Sequence, residues 1–257
     1  MSGQIDFEKT GDMVRVDAGG MHYRDLNATL RGMMEGGTRR IEITDVCGQR
    51  YIGTNLHGPL TIDIYGTPGN DLGAFMTGPR IAVYGNAQDG CGNTMDEGEI
   101  VIHGHAGDVV GLSARGGKVF VRDDVGYRAG IHMKEYGGKR PVIVIGGTAQ
   151  DFLGEYMAGG VILLLGLTLG HSRVHCCDFV GTGMHGGAIY IRGDIDEGRL
   201  GKEVGVSQLD AADMVLVRSL VEEYAAHFGH DEEGLLQGSF LKLYPRWLRP
   251  YGKIYAY

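Results

Sequence analysis

The sequence predicts an all-β fold: a single-stranded right-handed parallel β-helix of about seven coils, flanked by N- and C-terminal helices. Three observations predict it: short β-branched runs at a near-constant interval, glycines phased within each interval, and an unusual glycine content. The 257-residue chain holds 46 glycines, about two and a half times the usual ~7%. With six prolines and no glycine at every third position, a collagen-like chain is a poor fit.

Short apolar runs such as TIDIYG and RIAVYG recur along the chain, each closed by glycine or a turn residue. A period near twenty residues is typical of a solenoid, in which each repeat contributes one coil. A crossover between parallel strands is right-handed in most proteins, which gives the predicted hand. Alignment two positions before each closing residue predicts an inward ladder of Ile64, Val83, Ile102, Val121, Val144 and Leu164, continued in register by Ile191.

The glycines are phased within each period and predict the corners between strands. Glycine tolerates positive φ and close backbone approach, both of which sharp stacked corners need. We therefore expect at least one of Gly107 and Gly111 at positive φ. Asp or Gln at some equivalent positions favours corners over a ligand loop, in which every glycine would matter. The predicted corner residues are Gly66, Gly69, Gly73, Gly104, Gly107, Gly111, Gly126, Gly130 and Gly154.

Changes in composition divide the chain into three parts. Residues 1–40 are predicted to form a lead-in and cap, residues 41–200 the β-helix domain, and residues 201–257 a C-terminal helix and aromatic tail. A solenoid needs its open ends covered, so end-capping is the predicted role of the flanking segments.

Two segments have helical spacing of apolar residues. Residues 21–37 predict a helix that Asp25 or Asn27 could cap. Residues 207–230 predict a longer helix with Ser207 as its N-cap. The predicted buried face of this second helix consists of Met214, Val217, Leu220, Val221 and Tyr224.

Net charge and cysteine content restrict which partners and which cellular location the sequence predicts. A net charge of −8 disfavours nucleic acid as a partner, because phosphate binding needs a basic face. The sequence shows no signal peptide and no apolar segment of membrane length, so no membrane partner is expected. Four cysteines fit neither a disulfide scaffold nor a CxxC motif. These features predict a cytoplasmic protein with reduced thiols.

Histidines and cysteines cluster in the longest, irregular coil. Imidazole and thiolate suit zinc or copper, but the cluster lacks CxxC spacing, and HCC in a strand would split its side chains between two faces. The weak metal candidates are His171, His175, Cys176, Cys177 and His185. The sequence favours no metal site there, and it predicts no catalytic residue.

Two further patterns resemble ligand-binding motifs but lack the surrounding structure that those motifs require. The G-x-G-x-x-G at residues 181–186 is followed by a strand, whereas the dinucleotide motif opens a helix. Acidic residues near the corners could suggest calcium, but calcium-binding β-rolls have a nine-residue period. We interpret the acidic positions as solvated surface: Asp89, Asp96, Glu97, Asp108, Asp123, Asp124 and Asp151.

The C-terminal tail is rich in aromatic residues. Tyrosine and tryptophan supply large contact areas with a polar tip, so Tyr244, Trp247, Tyr251 and Tyr255 are candidates for docking a partner. The alternative is that the tail folds back over the last coils.

The phrases GNAQDGCGNTMDEGEIVIHG, GHAGDVVGLSARGGKVFV and GGTAQDFLGEYMAGGVILLLG resemble the GXGXG domain, the C-terminal β-helix of the large subunit of glutamate synthase. The stretch DLNATLRGMMEGG resembles the segment leading into that domain. The resemblance spans roughly residues 20–200 and implies a right-handed parallel β-helix. In the large enzyme this domain binds no cofactor and holds the glutaminase and FMN/iron–sulfur synthase domains in place.

The chain departs from that enzyme because it lacks a glutaminase cysteine, iron–sulfur cysteine spacing and an FMN barrel. The resemblance therefore implies a non-catalytic assembly subunit of a multi-chain glutamate synthase, with FMN and iron–sulfur clusters in the partner chains. The same β-helix is similar to the β-helical subunit of formylmethanofuran dehydrogenase and of the formyltransferase/hydrolase complex, which stays an alternative. A third hypothesis is a metal-dependent enzyme that uses the His/Cys coil. The sequence also leaves open whether the chain forms a homo-oligomer.

Overall fold

The computed structural model describes residues 7–10, 13–170 and 174–247, in which parallel strands stack in chain order to form a β-solenoid of about eight turns. The early strands are β1 (Phe7–Thr10), β2 (Met13–Asp17), β3 (Arg40–Cys47), β4 (Thr61–Thr67), β5 (Thr77–Tyr84), β6 (Glu97–Ile102) and β7 (Lys118–Val121). The later strands are β8 (Val142–Ile145), β9 (Ala158–Leu164), β10 (Val174–His175), β11 (Gly186–Arg192), β12 (Asp194–Ile195), β13 (Val204–Gln208) and β14 (Phe240–Pro245).

Helices occupy little of the described chain. They are α1 (Tyr23–Glu35), α2 (Ala211–Phe228) and the short α3 (Glu232–Leu236), together with a 3-10 turn at Glu197–Arg199. The all-β prediction with flanking helices is confirmed. About eight turns are present rather than seven, because the parallel stack begins before β4, with β2 and β3.

Twelve of the strands form one sheet that runs the length of the solenoid in the order β1-β2-β3-β4-β5-β6-β7-β8-β9-β11-β14-β13, while β10 and β12 form a separate parallel pair. From β2 to β11 every neighbouring pair in this sheet is parallel. Antiparallel pairs occur at the two ends: β1 with β2, and β14 with both β11 and β13. The C-terminal strand is thus built into the sheet next to the last parallel strand.

The inward ladder follows the predicted register except at β8. Val121 pairs with Ile145, and Ile145 pairs with Leu164. Val144 was predicted in the ladder, but it pairs with Phe120 and belongs to the outer face of the sheet. The prediction is wrong by one residue at this strand, which turns a side chain to the opposite face.

Apolar side chains fill the interior of the solenoid in stacked rows. Ile64, Val83, Ile102 and Ile145 are completely buried and belong to one continuous core cluster. Each row repeats once per turn, so truncating one side chain removes contacts with both neighbouring turns.

Helix α1 closes the N-terminal end of this core with Leu26 and Leu30, which are both buried in the same cluster. Its N-cap is His22, whose ring Nδ1 accepts a hydrogen bond from the Arg24 N–H at 3.4 Å. Asp25 and Asn27 were predicted as caps, but both lie within the first turns of the helix.

Helix α2 does not cap an end, contrary to the prediction, but covers the outer face of the sheet. There it forms a second core, in which Val217, Leu220 and Tyr224 pack against the outward side chains of the sheet. Phe120 and Val144 are among those outward side chains, and both are fully buried. The spacing predicted the buried face correctly except at its first position, since Met214 is 40% exposed.

Polar contacts fix the start of α2. Its N-cap is Asp210, which forms a capping box with Asp213, whereas the predicted cap Ser207 lies in β13. The buried Asp213 carboxylate accepts hydrogen bonds from the Tyr190 hydroxyl and the Lys242 ammonium, each at 2.7 Å. Burial alone would raise the pKa of Asp213, but these bonds hold it below its ordinary value. They tie α2 to β11 and β14.

Candidate functional site

Each turn of the solenoid carries a corner in which alternate residues have positive φ. In one turn these are Val109 at 52°, Gly111 at 68° and Ser113 at 54°. Side chains rarely adopt this conformation, and for a β-branched residue such as Val109 it is strained. The central position of each such corner is a glycine, and these are Gly53, Gly73, Gly92, Gly111, Gly130, Gly154 and Gly181. We call this repeated feature the left-handed corner.

Hydrogen bonds between turns hold the left-handed corner in place. The Val109 and Ser113 N–H groups donate to carbonyls of the following turn, at 2.8 and 2.9 Å. The Gly111 N–H donates in the opposite direction, to the Cys91 carbonyl at 2.7 Å. Successive N–H groups of this kind therefore donate by turns to the following and to the preceding turn of the solenoid. These hydrogen bonds satisfy buried backbone donors and offset the conformational strain.

The central glycine is required by packing as well as by φ. A Cβ at Gly111 would lie 2.5 Å from Cδ1 of Ile143, and one at Gly130 equally close to Cδ1 of Ile162. These isoleucines belong to the inward rows of the solenoid. The same conflict arises at Gly73 and Gly154. These four predicted corner residues lie at the centres of left-handed corners.

The other predicted corner glycines lie where the chain approaches the preceding turn. A Cβ at Gly107 would collide with the Asp89 carboxylate, and one at Gly126 with that of Asp108. Gly107 is not at positive φ, whereas Gly111 is. A Cβ at the remaining members would likewise overlap an oxygen atom of the preceding turn; these are Gly66, Gly69 and Gly104.

Acidic residues near the corners join neighbouring turns. Asp89 Oδ1 accepts from the Asp108 N–H at 2.9 Å, and Asp108 Oδ1 accepts from the Tyr127 N–H at 2.8 Å. Asp124 Oδ1 accepts from the Thr148 N–H at 2.7 Å. Asp89 is exposed, and Asp108 and Asp124 are partly exposed, so these residues do lie at the surface as interpreted. Their carboxylates have a second role that the sequence did not predict, because they cap backbone groups of the next turn.

The outer positions of three consecutive left-handed corners carry an aromatic surface. Phe152 and Phe179 stack with ring centroids 4.9 Å apart, and His132 stacks on Tyr156 at 5.3 Å. The Arg128 guanidinium lies 4.3 Å from the Phe152 ring centroid and pairs with the buried Glu155 carboxylate. We call the surface formed by Arg128, His132, Phe152, Tyr156 and Phe179 the corner patch.

The corner patch is both exposed and rigid. Phe179 is 53% and Tyr156 41% exposed, and each belongs to a stacked pair of rings rather than being exposed singly. All five residues have positive φ. The Phe152 N–H donates to the Asp178 carbonyl at 2.8 Å and the Tyr156 N–H to the Thr182 carbonyl at 2.8 Å. The Phe152 and Tyr156 rings are therefore presented by a backbone that is bonded to the following turn.

The His/Cys coil does not converge on a common centre within the described residues. His175 is buried, and its Nε2–H donates to the Arg192 carbonyl at 3.1 Å. Burial lowers the pKa of His175 and raises that of the buried Cys177 thiol to about 11. Cys176 is exposed. In the described part of the chain, no group of three or more His, Cys, Asp or Glu side chains could hold a metal ion.

His185 and the G-x-G-x-x-G stretch also form no ligand site among the described residues. His185 Nδ1 lies 3.2 Å from the Gly183 carbonyl, while His171 lies outside the described residues. The G-x-G-x-x-G stretch provides the left-handed positions Gly181 and Gly183 and runs into β11. A helix start of the kind that binds a pyrophosphate does not follow it.

Of the predicted docking residues of the tail that the structure describes, one lies in the sheet and one is exposed after the last strand. Tyr244 lies on β14 over Gly205 and is 37% exposed. Trp247 is 66% exposed. Tyr251 and Tyr255 lie outside the described residues. Within the described residues, no helix has the length and apolar character needed to cross a membrane.

A parallel β-solenoid with glycine-centred corners defines a class of protein, the parallel β-helical proteins. The chain belongs to the GXGXG motif family, which it matches over residues 36–254. It is also similar to the uncharacterized protein MJ1350 of Methanocaldococcus jannaschii. The two are 48% identical over 254 residues, which cover 95% of this chain and 96% of the relative.

Sequence reasoning located the corners but missed the corner patch. The aromatic residues of the patch were visible at a fixed offset from each central glycine: Phe152 two before Gly154, and Phe179 two before Gly181. The signal was therefore an aromatic residue repeated at the outer positions of successive corners, spread along the chain rather than concentrated as in the tail.

Proposed function

We propose that the chain is a non-catalytic assembly subunit of a multi-chain glutamate synthase, which converts glutamine and 2-oxoglutarate to glutamate. Membership of the GXGXG motif family suggests a glutamate synthase-like domain. The observation that carries the proposal further is the rigid, exposed corner patch on a solenoid whose interior is filled by apolar rows. In this proposal, partner chains supply the glutaminase site and the FMN and iron–sulfur clusters.

The corner patch has the chemistry of a protein interface. Phenylalanine and tyrosine rings offer large apolar contacts at little entropic cost when they are already ordered, and arginine is common at binding hot spots. Arg128 is held by Glu155 and lies against Phe152, so its position is set before a partner arrives. A preorganised surface of this kind suits permanent assembly, because less conformational entropy is lost on binding.

The proposal places the subunit between catalytic partners as a spacer. Stacked turns keep a fixed geometry that does not depend on any ligand. Four free cysteines fit a cytoplasmic location, which forms part of the proposal. The tail gives a second candidate contact, at the exposed Trp247 and the residues that follow it. A chain ending at Arg246 would still contain all of β14, so this contact can be removed without cutting the sheet.

The test is co-elution of the purified chain with separately purified partners. We expect a stable complex with an FMN- and iron–sulfur-containing synthase chain on size-exclusion chromatography, with glutamate formation dependent on that partner. The isolated chain should bind neither FMN nor NAD(P) and should turn over neither glutamine nor 2-oxoglutarate. A truncated chain lacking residues 247–257 tests the tail: retained binding assigns the contact to the corner patch.

Other outcomes would replace the proposal. Co-elution with a molybdenum or tungsten protein, or with an amidohydrolase-like protein, would instead identify a component of a formyl-transfer complex. Stoichiometric zinc or copper in the isolated chain, with catalytic turnover, would support a metal-dependent enzyme.

A further inference from the structure

A cleft lies between α1 and the first left-handed corner, at the N-terminal end of the solenoid. It is open to solvent and has a volume of about 290 Å³. Its walls are Tyr23, Arg24, Asn27, Ala28 and Arg31 of the helix and Tyr51 and Thr54 of the corner. We call it the arginine cleft. None of these lining residues is acidic, although the chain as a whole has a net charge of −8.

The arginines at this cleft lack carboxylate partners among the described residues. Arg24, Arg31 and Arg50 form no ion pair there, whereas most of the other arginines in the described ranges are paired with Asp or Glu, as Arg80 is with Glu99. The Arg24 Nε–H donates to the Tyr23 hydroxyl at 3.3 Å. Positive charge without a carboxylate partner is therefore concentrated at this cleft, although the chain as a whole has a negative net charge.

Aromatic rings hold part of this charge in place. The Arg50 guanidinium carbon lies 5.0 Å from the Tyr23 ring centroid and 6.0 Å from that of Tyr51. The two tyrosine rings contact each other, with centroids 5.7 Å apart. Cation–π contacts of this length orient a guanidinium without neutralising it.

Hydrogen bonds also fix the two walls relative to each other. The buried Asn27 side chain donates from Nδ2 to the Tyr23 carbonyl at 2.7 Å and to the Arg50 carbonyl at 2.9 Å, which ties the helix to the corner. The Tyr51 N–H donates to the Asn70 carbonyl at 2.9 Å. The cleft is thus preformed, as sites for small ligands usually are.

We propose that the arginine cleft binds a small molecule carrying a phosphate or carboxylate group. Guanidinium groups bind both anions through paired N–H donors, and an arginine without a protein carboxylate is available to do so. The cleft volume of about 290 Å³ lies just below the ~300–1,000 Å³ typical of sites for drug-sized ligands, which suits a small metabolite. The inference is independent of the proposed assembly role, since it concerns the isolated chain.

Isothermal titration calorimetry on the isolated full-length chain at low salt tests the site, with inorganic phosphate, adenosine diphosphate and succinate as probes. We expect at least one probe to bind, and the double variant Arg24→Gln/Arg31→Gln to weaken that binding by about tenfold or more. Arg39→Gln is the matched control, because Arg39 is also exposed and forms no ion pair among the described residues but lies outside the lining. It should change affinity by less than about twofold.

The arms of the experiment identify the anion. Binding of phosphate and adenosine diphosphate without succinate assigns a phosphate ligand, and succinate alone assigns a carboxylate. The proposal is overturned if no probe binds at about 10 mM, or if the cleft variant and the Arg39 control bind equally well. Binding of polyglutamate without any small probe would also overturn it, because the cleft would then recognise an acidic chain.

Discussion

Replacing Gly111 with valine is expected to lower the free energy of unfolding by about 2–6 kcal/mol. Two costs combine, since a valine at φ 68° carries backbone strain of about 1–3 kcal/mol. Its Cβ would also lie 2.5 Å from Cδ1 of Ile143, and overpacking of this kind costs about 1–3 kcal/mol. Urea unfolding followed by circular dichroism measures the sum.

Gly137→Val is the control that separates these two costs. Gly137 also has positive φ, 59°, but a Cβ there would meet nothing within 4 Å. We expect this variant to lose only the conformational cost, about 1–2 kcal/mol. If the two variants lost equal stability, the central glycine would not be required by packing against the inward row.

Truncating Ile102 to alanine is expected to cost about 2–5 kcal/mol, the range for deleting a large buried aliphatic side chain. Ile102 is fully buried and pairs in register with Val83 on one side and Val121 on the other. Neither neighbouring turn can collapse into the space, because the hydrogen bonds between strands fix their spacing.

Val215→Ala gives the corresponding surface truncation. Val215 lies on α2 with 70% of its surface exposed, so its loss should change stability by less than about 0.5 kcal/mol. A loss for Ile102→Ala as small as that for Val215→Ala would contradict the assigned inward ladder.

The sequence predicted the solenoid well because its period depends on backbone geometry that every turn shares. The register failed at β8, where Val142–Ile145 is buried at all four positions. Helix α2 covers the outer face there, so the strand lacks the alternation of apolar and polar residues that identifies an inward side chain. The two adjacent glycines, Gly146 and Gly147, left the closing position ambiguous.

The candidate site was less predictable because its conformation opposes local preference. Val109 and Phe152 belong to residue types that avoid positive φ, and hydrogen bonds to the following turn hold them there. Packing of α2 on the sheet depends on contacts such as that between the Tyr224 hydroxyl and the Arg122 carbonyl, which are 102 positions apart. Local patterns carry no information about contacts at that separation.

The affinity of the chain for the synthase partner, compared between two phenylalanine variants, tests the central claim most directly. Phe179 lies in the corner patch and Phe75 outside it, yet both have φ 58° and are 53% and 52% exposed. Asparagine tolerates this conformation, so both substitutions to asparagine should fold. We predict that Phe179→Asn weakens partner binding by about tenfold or more and that Phe75→Asn leaves it within about twofold. Equal affinities for the two variants, or no partner binding by the wild-type chain, would contradict the account.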